Sequence, residues 1–218
     1  PKVALIIDDM GHGSEPLERL LALKLPLTIS VLPHTPQGEQ VARQASAAGL
    51  GVMLHLPMEP LGYPALQPGP GVLLCAMSAK KIRAVVVDDL ASVPHAAGVN
   101  NHMGSRFSRH PQLLEVVLGE LKKRGLFYVD SFTSADSQGL ATARRLGLAT
   151  ARRDVFLDHD SNAASIDFQM KRLLKLASQQ GRAIAIGHPQ ETTLRALERW
   201  APRLQKEVEL VKVEDLVG

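Results

Sequence analysis

Apolar positions along this chain follow two rhythms that take turns from one end to the other. Short aliphatic and β-branched runs at Val3–Ile7, Leu27–Leu32, Val52–Leu54, Gly98–Asn101, Phe127–Val129, Ala149–Ala151, Ala183–Ile186 and Glu209–Val213 predict strands. Between them, Glu15–Ala22, Gln37–Ala48, Ala79–Ser92, Pro111–Arg124, Asp136–Leu146, Ser161–Gln180 and Glu191–Gln205 carry the spacing of amphipathic helices. The punctuation agrees, with Ser78 and Ser161 ahead of helix starts and Gly49, Gly125, Gly147 and Gly181 just past helix ends. Strand and helix in strict alternation predict a parallel sheet with right-handed crossovers. Seven or eight such units in 218 residues favour a closed barrel over an open, doubly wound sheet. No Gly-x-Gly-x-x-Gly follows the first strand, which removes the dinucleotide-binding signature of the open alternative. No linker, repeat or low-complexity segment interrupts the pattern, so one domain over residues 1–218 is expected.

In a parallel barrel, chemistry sits at the carboxyl ends of the strands. Reading the residues that follow each predicted strand gives Asp8 and Asp9, then His34, then His55 with Glu59, then Asn100, Asn101 and His102, then Asp130 and Ser131, and finally His188. Each alone has an ordinary structural explanation, such as an aspartate capping the next helix. Together, Asp8, Asp9, His55, His102, Asp130 and His188 would converge on one pocket. Carboxylates and imidazoles gathered there suit a first-row divalent metal, zinc in particular. A cation would also offset the cost of burying two adjacent carboxylates, one of them binding it and the other left free to accept a proton.

Composition narrows the alternatives. Aromatic residues are only 4% of the chain, and the formal charge is +3. Lys and Arg are scattered over predicted helix faces and ends without a basic stripe or stacking platform, so no nucleic-acid partner is expected. The single cysteine, Cys75, excludes a disulfide within the chain and a thiolate cluster, and its apolar neighbours predict a small buried hydrophobe. No apolar run reaches the ~18 residues of a spanning helix. The chain starts at Pro1, almost inside the first strand, so a missing leader is uninformative about compartment.

The segments "IIDDMG", "VMLHLPMEP", "GVNNHMGSRF", "YVDSFTS" and "IAIGHP", in that order over nearly the whole chain, resemble the divergent polysaccharide deacetylases, a bacterial branch related to chitin and peptidoglycan deacetylases. The resemblance implies a distorted (β/α) barrel and a metal-dependent hydrolase that removes acetyl groups from a carbohydrate outside the cytoplasm, in the periplasm or cell envelope. It makes Asp8 the general base, Asp9 and His55 metal ligands, and His188 the general acid. The mainstream family has His-x-x-x-His where this chain has His55 and Glu59, and the mainstream Arg-x-Pro is replaced by "NNHMGSRF". Either Glu59 or His102 must then complete the metal shell. His102 is favoured, because imidazole is the better zinc ligand. Glu59 would act through water or on substrate, Asp130 would orient His188 or a ligand histidine, and Ser131 would lie beside them. The proline-rich loop Pro57–Pro70, with Tyr63, would form a rim for a sugar face. Two other readings are a catalytically silent, metal-containing glycan-binding or envelope scaffold protein, and a metal hydrolase acting on another amide or a phosphoester.

Overall fold

A computed structural model describes residues 1–218. The strands are β1 (Lys2–Met10), β2 (Thr28–Val31), β3 (Gly51–Met58), β4 (Gly98–Met103), β5 (Phe127–Asp130), β6 (Thr150–Arg152), β7 (Val155–Phe156), β8 (Arg182–Gly187) and β9 (Glu209–Val211). The helices are α1 (Glu15–Ala22), α2 (Gly38–Ala47), α3 (Ala79–Ser92), α4 (Pro111–Lys123), α5 (Gly139–Arg145), α6 (Ala163–Gln180) and α7 (Glu191–Glu207). All nine strands pair in parallel, in the order β6-β5-β4-β3-β2-β1-β8-β7, with β9 also on β1.

The sheet curls into the expected distorted (β/α) barrel, left open where β6 and β7 do not pair. Only Arg153 and Asp154 separate the two strands. They are halves of one extended segment whose lower half pairs with β5 and whose upper half pairs with β8. The first edge of β1 is divided similarly, with Lys2–Ala4 against β9 and Ile6–Met10 against β2.

Side-chain alternation sorts the strands into two faces. Val3, Leu5 and Ile7, with Val52, Leu54, Val99, Tyr128, Ala183 and Ala185, pack outward against the helices. Ala4, Ile6, Met53, Phe127, Val129, Ile184 and Ile186 fill the interior, where Val213 and Leu216 of a closing 3₁₀ turn join them. The same inward parity, continued toward the carboxyl ends, carries Asp8, His55, Asn100, His102 and His188. A polar layer therefore lies directly above an apolar one.

Several boundaries differ from expectation. β3 and β4 run on to Met58 and Met103, past the strand ends read from the apolar pattern, because polar residues take inward positions there. The helix expected over 136–146 begins only at Gly139, because residues 132–140 fold back onto Asp130. Cys75 is only partly buried.

Candidate metal centre

Two consecutive residues of a regular strand point to opposite faces. In β1 this is broken by one extra residue, since Ile7 pairs with Ile29 and Met10 with Val31. That is a β-bulge, and Asp9 within it has φ of 55°. An aspartate tolerates this left-handed conformation better than most residues do. The bulge turns Asp9 toward the interior beside Asp8 and returns Met10 to the outward core. Non-glycine residues with positive φ also lie at the carboxyl ends of β2, β4 and β5, at His34, Met103 and Phe132.

Asp9 Oδ1, His55 Nε2 and His102 Nδ1 form a nearly equilateral triangle. Asp9 Oδ1 is 3.2 Å from His55 Nε2 and 3.1 Å from His102 Nδ1, and the two ring nitrogens are 3.1 Å apart. Asn100 fixes what His55 presents to this triangle. Its Nδ2 donates to Asp8 Oδ1 at 2.8 Å, which turns Oδ1 toward Ser30 Oγ at 2.6 Å and His55 Nδ1 at 2.8 Å. An amide oxygen only accepts, so His55 donates from Nδ1 and, when neutral, offers a lone pair at Nε2.

Asp9 Oδ1 is buried and receives no hydrogen bond. Lone pairs converging at such distances repel unless a proton or cation lies among them. A tetrahedral zinc with bonds of about 2.0–2.1 Å spaces its ligand atoms about 3.3 Å apart, close to the triangle observed. Two imidazoles and a carboxylate are also a zinc-type donor set. The residues therefore fit a divalent metal. His34, Asp88 and Asp89 form a second such group, but His34 and Asp88 are exposed, and His34 turns from the pocket to bond Asp89 at 2.9 Å.

Asp8 lies against the triangle, its Oδ2 3.5 Å from His55 Nε2. Burial raises its pKa by more than the nearby His55 and His188 lower it. Burial opposes ionisation of Asp9 too, but the His102 and His55 rings hold its carboxyl well below the usual range. Burial pushes His55 toward neutrality, and the carboxylates of Asp8 and Asp9 outweigh it. His188 Nε2 is 3.8 Å from Asp9 Oδ2 on the other side. Its Nδ1 is 3.0 Å from Asp158 Oδ1, and Asp158 Oδ2 receives the His188 backbone N–H and the Thr193 hydroxyl. Burial disfavours the imidazolium, yet the bond to Asp158 and the charges of Asp8, Asp158 and Asp9 raise its pKa to about 9.

Three expectations are corrected. Asp130 orients neither His188 nor a ligand histidine; it accepts from Phe132 N, Ser137 Oγ and Leu140 N and shapes the turn before α5. Asp158 and Asn100 do the orienting. Glu59 is committed elsewhere, with Oε2 on Cys75 N at 2.6 Å and Oε1 on Arg106 at 2.9 Å, so it ties the long loop to the turn after β4. Its link to Cys75, after burial, raises that thiol to about 11. The cavity above the triangle, about 310 Å³, is rimmed by Pro60 and Leu66 rather than Tyr63, and Ser131 and Phe156 line its wall. The Ser131 hydroxyl is buried without a partner.

A family model for divergent polysaccharide deacetylases matches residues 5–217. The chain belongs to this family. An uncharacterized protein of Escherichia coli K12, YibQ, is 34% identical over 217 residues, covering 100% of this chain and 67% of the relative. Among solved structures, uncharacterized protein ATU2773 from Agrobacterium tumefaciens C58 superposes with TM-score 0.93 at 27% identity, covering 99% of this chain and 89% of that one. The catalytic domain of a peptidoglycan N-acetylglucosamine deacetylase from Eubacterium rectale gives TM-score 0.59 at 13% identity, covering 97% and 87%. BA3943, a family 4 carbohydrate esterase (CE4) pseudoenzyme from Bacillus anthracis, gives 0.51 at 15%, covering 99% and 66%. The last two share the fold alone with this chain. Together they show that the barrel exists in both working and silent forms.

Proposed function

We propose that this divergent polysaccharide deacetylase is a metal-dependent hydrolase that removes acetyl groups from a carbohydrate of the cell envelope, in the periplasm or another extracytoplasmic space. The observation that carries the reading is the triangle of Asp9, His55 and His102 around an unpartnered buried oxygen, flanked by a carboxylate and a carboxylate-held imidazole. Asp9, His55 and His102 would hold the divalent ion, zinc by its donor set, which would polarise the acetyl carbonyl and acidify water.

Asp8 is the base. Asn100 holds its Oδ1 and leaves Oδ2 to take a proton from the attacking water. Burial raises the proton affinity of this carboxyl, which favours that transfer. His188 is the acid. Asp158 holds Nδ1, so Nε2 is the nitrogen that hands a proton to the departing amine or alkoxide. The bond and charge of Asp158 raise the pKa of His188, which favours its carrying that proton. The free hydroxyl of Ser131 is placed to bind the sugar, and Pro60, Leu66 and Phe156 supply apolar surface for its face.

The experiment is acetate release from chito-oligosaccharides and peptidoglycan fragments, with metal stripped and then restored. Release that needs metal and disappears in His188→Ala supports the reading. A second reading, a silent metal-containing glycan-binding protein, is favoured by one observation: Glu59 replaces the mainstream histidine and is locked to Cys75 and Arg106. Glycan binding without acetate release under any metal would establish it instead.

A further inference from the structure

The split between β6 and β7 has a counterpart outside the barrel, where α5 and α6 stand apart. Segment 152–159 crosses that gap, and a groove of about 520 Å³ runs beside it along Gln169, Arg172, Leu176 and Gln180, one stripe of α6. From Gln169 to Gln180 the helix rises about 16 Å. At its upper end the groove shares Phe132, Arg153, Phe156 and His159 with a smaller hollow, which also takes in Thr133. Thr133 and Phe156 line the metal-site cavity as well, so the two adjoin. At the lower end it meets a hollow of about 330 Å³ lined by Arg144, Arg152 and Arg182.

Most arginines of this chain have a carboxylate partner. Those without one are Arg83, Arg144, Arg152, Arg153, Arg172 and Arg182, and all but Arg83 line this groove and its extensions. Asp154 is the acidic group among the lining residues, and one of its oxygens already accepts from Ile184 N. Arg152 lies over the Phe132 ring at 4.4 Å and Arg153 over Phe156 at 4.9 Å, which braces both guanidinium groups. The sequence scatters these cations over four segments; the fold gathers them.

We infer that the glycan served by this site is acidic, and that Arg144, Arg152, Arg172 and Arg182 grip carboxylate or phosphate groups of the stretch leading away from the reacting acetyl. The inference rests on the deacetylase reading for the sugar itself. Arg153 and Arg182 also donate to backbone carbonyls, of Ser131, Phe132 and Leu216. Guanidinium forks match both anions in geometry, and arginines without a carboxylate partner lining a trough beside a reaction site concentrate such a polymer there.

The test is binding, which needs no turnover. Calorimetry compares hyaluronan oligosaccharides, which carry acetyl and carboxylate groups, with neutral chitin oligosaccharides of equal length. Poly(glycerol phosphate) and oligo(dT) are run beside them. The expected order places hyaluronan well ahead of chitin, with binding that weakens as salt rises. Arg152→Gln with Arg172→Gln should lower hyaluronan affinity about tenfold, while Arg145→Gln, whose partner is Glu115 outside the groove, changes nothing. Tighter binding of poly(glycerol phosphate) than hyaluronan would assign the groove to phosphate-bearing glycans within the same proposal. Equal binding of hyaluronan and chitin, indifference to the double substitution, or a preference for oligo(dT) would overturn it. Asp9→Asn separates this from the parent reading: it should abolish acetate release and leave hyaluronan binding intact.

Discussion

Replacing Asn100 by leucine keeps the branch at Cγ of this fully buried side chain and removes its amide. Three groups lose their partner at once: Asp8 Oδ1, His55 Nδ1 and Ser30 Oγ. A buried polar group left unpaired costs about 1–3 kcal/mol. Ser30 can rotate toward a backbone carbonyl, so two groups stay unpaired and the expected loss is about 2–6 kcal/mol, a large share of the ~5–15 kcal/mol that holds a domain together. The second effect is on the metal. Without the Asn100 oxygen, nothing fixes the proton of His55 at Nδ1, and lost support of this kind lowers metal affinity about 10- to 100-fold. Urea unfolding of metal-free protein reads the first effect, and competition with a fluorescent zinc chelator reads the second. Stability within about 1 kcal/mol of the parent, together with unchanged zinc affinity, would refute the role given to Asn100.

Asp8→Asn should retain its metal by elemental analysis and lose about 10²–10⁴-fold in turnover, whereas Asp9→Asn should lose the metal itself. Asp158→Asn should move the His188 titration, followed by NMR in metal-free protein, down from about 9, because the imidazolium loses its nearest carboxylate. Asp89 offers a stability test away from the site. Burial, with the Asp88 charge, pushes its carboxyl from 3.8 up to about 8. The folded state then holds a proton that the unfolded chain releases, so stability falls as pH rises between about 4 and 8. Asp89→Asn keeps the bond to His34 and should flatten that fall, as thermal melts across the range would show.

The polar residues that sit where strands end were readable because parity is a property of sequence: once a strand is placed, its inward positions follow. Asp8, His55, His102 and His188 stand out already as the residues that follow predicted strands, and parity accounts for their shared inward direction. The inward turn of Asp9 depends on a bulge that forms only when β1 pairs with β2, so no local pattern shows it. Asp158 escaped because β7 has two residues, too short to register as a strand. The Val-Phe-Leu run before Asp158, read as a strand end like the others, would have exposed it. Glu59 and Asp130 carry the right chemistry in the right place, but other donors claim their oxygens: Cys75 N and the Arg106 side chain for Glu59, and the turn that follows Asp130 for its own carboxylate. The arginines of the groove, taken along the chain, belong to separate helices and strands.

The division of β1 between three partners has a temporal side. Ribosomes add about 5–20 residues per second, so β8 emerges roughly 10–40 s after β1, and β9 later still. During that interval the apolar run Val3–Ile7 has one edge to offer β2 and another without a mate. An exposed edge of that kind invites pairing with other chains. Contacts so distant in sequence also make closure slow. The strand that carries Asp8 and Asp9 is thus made early and completed last, and nascent chains of this protein should depend on protection of that edge until the final strands arrive.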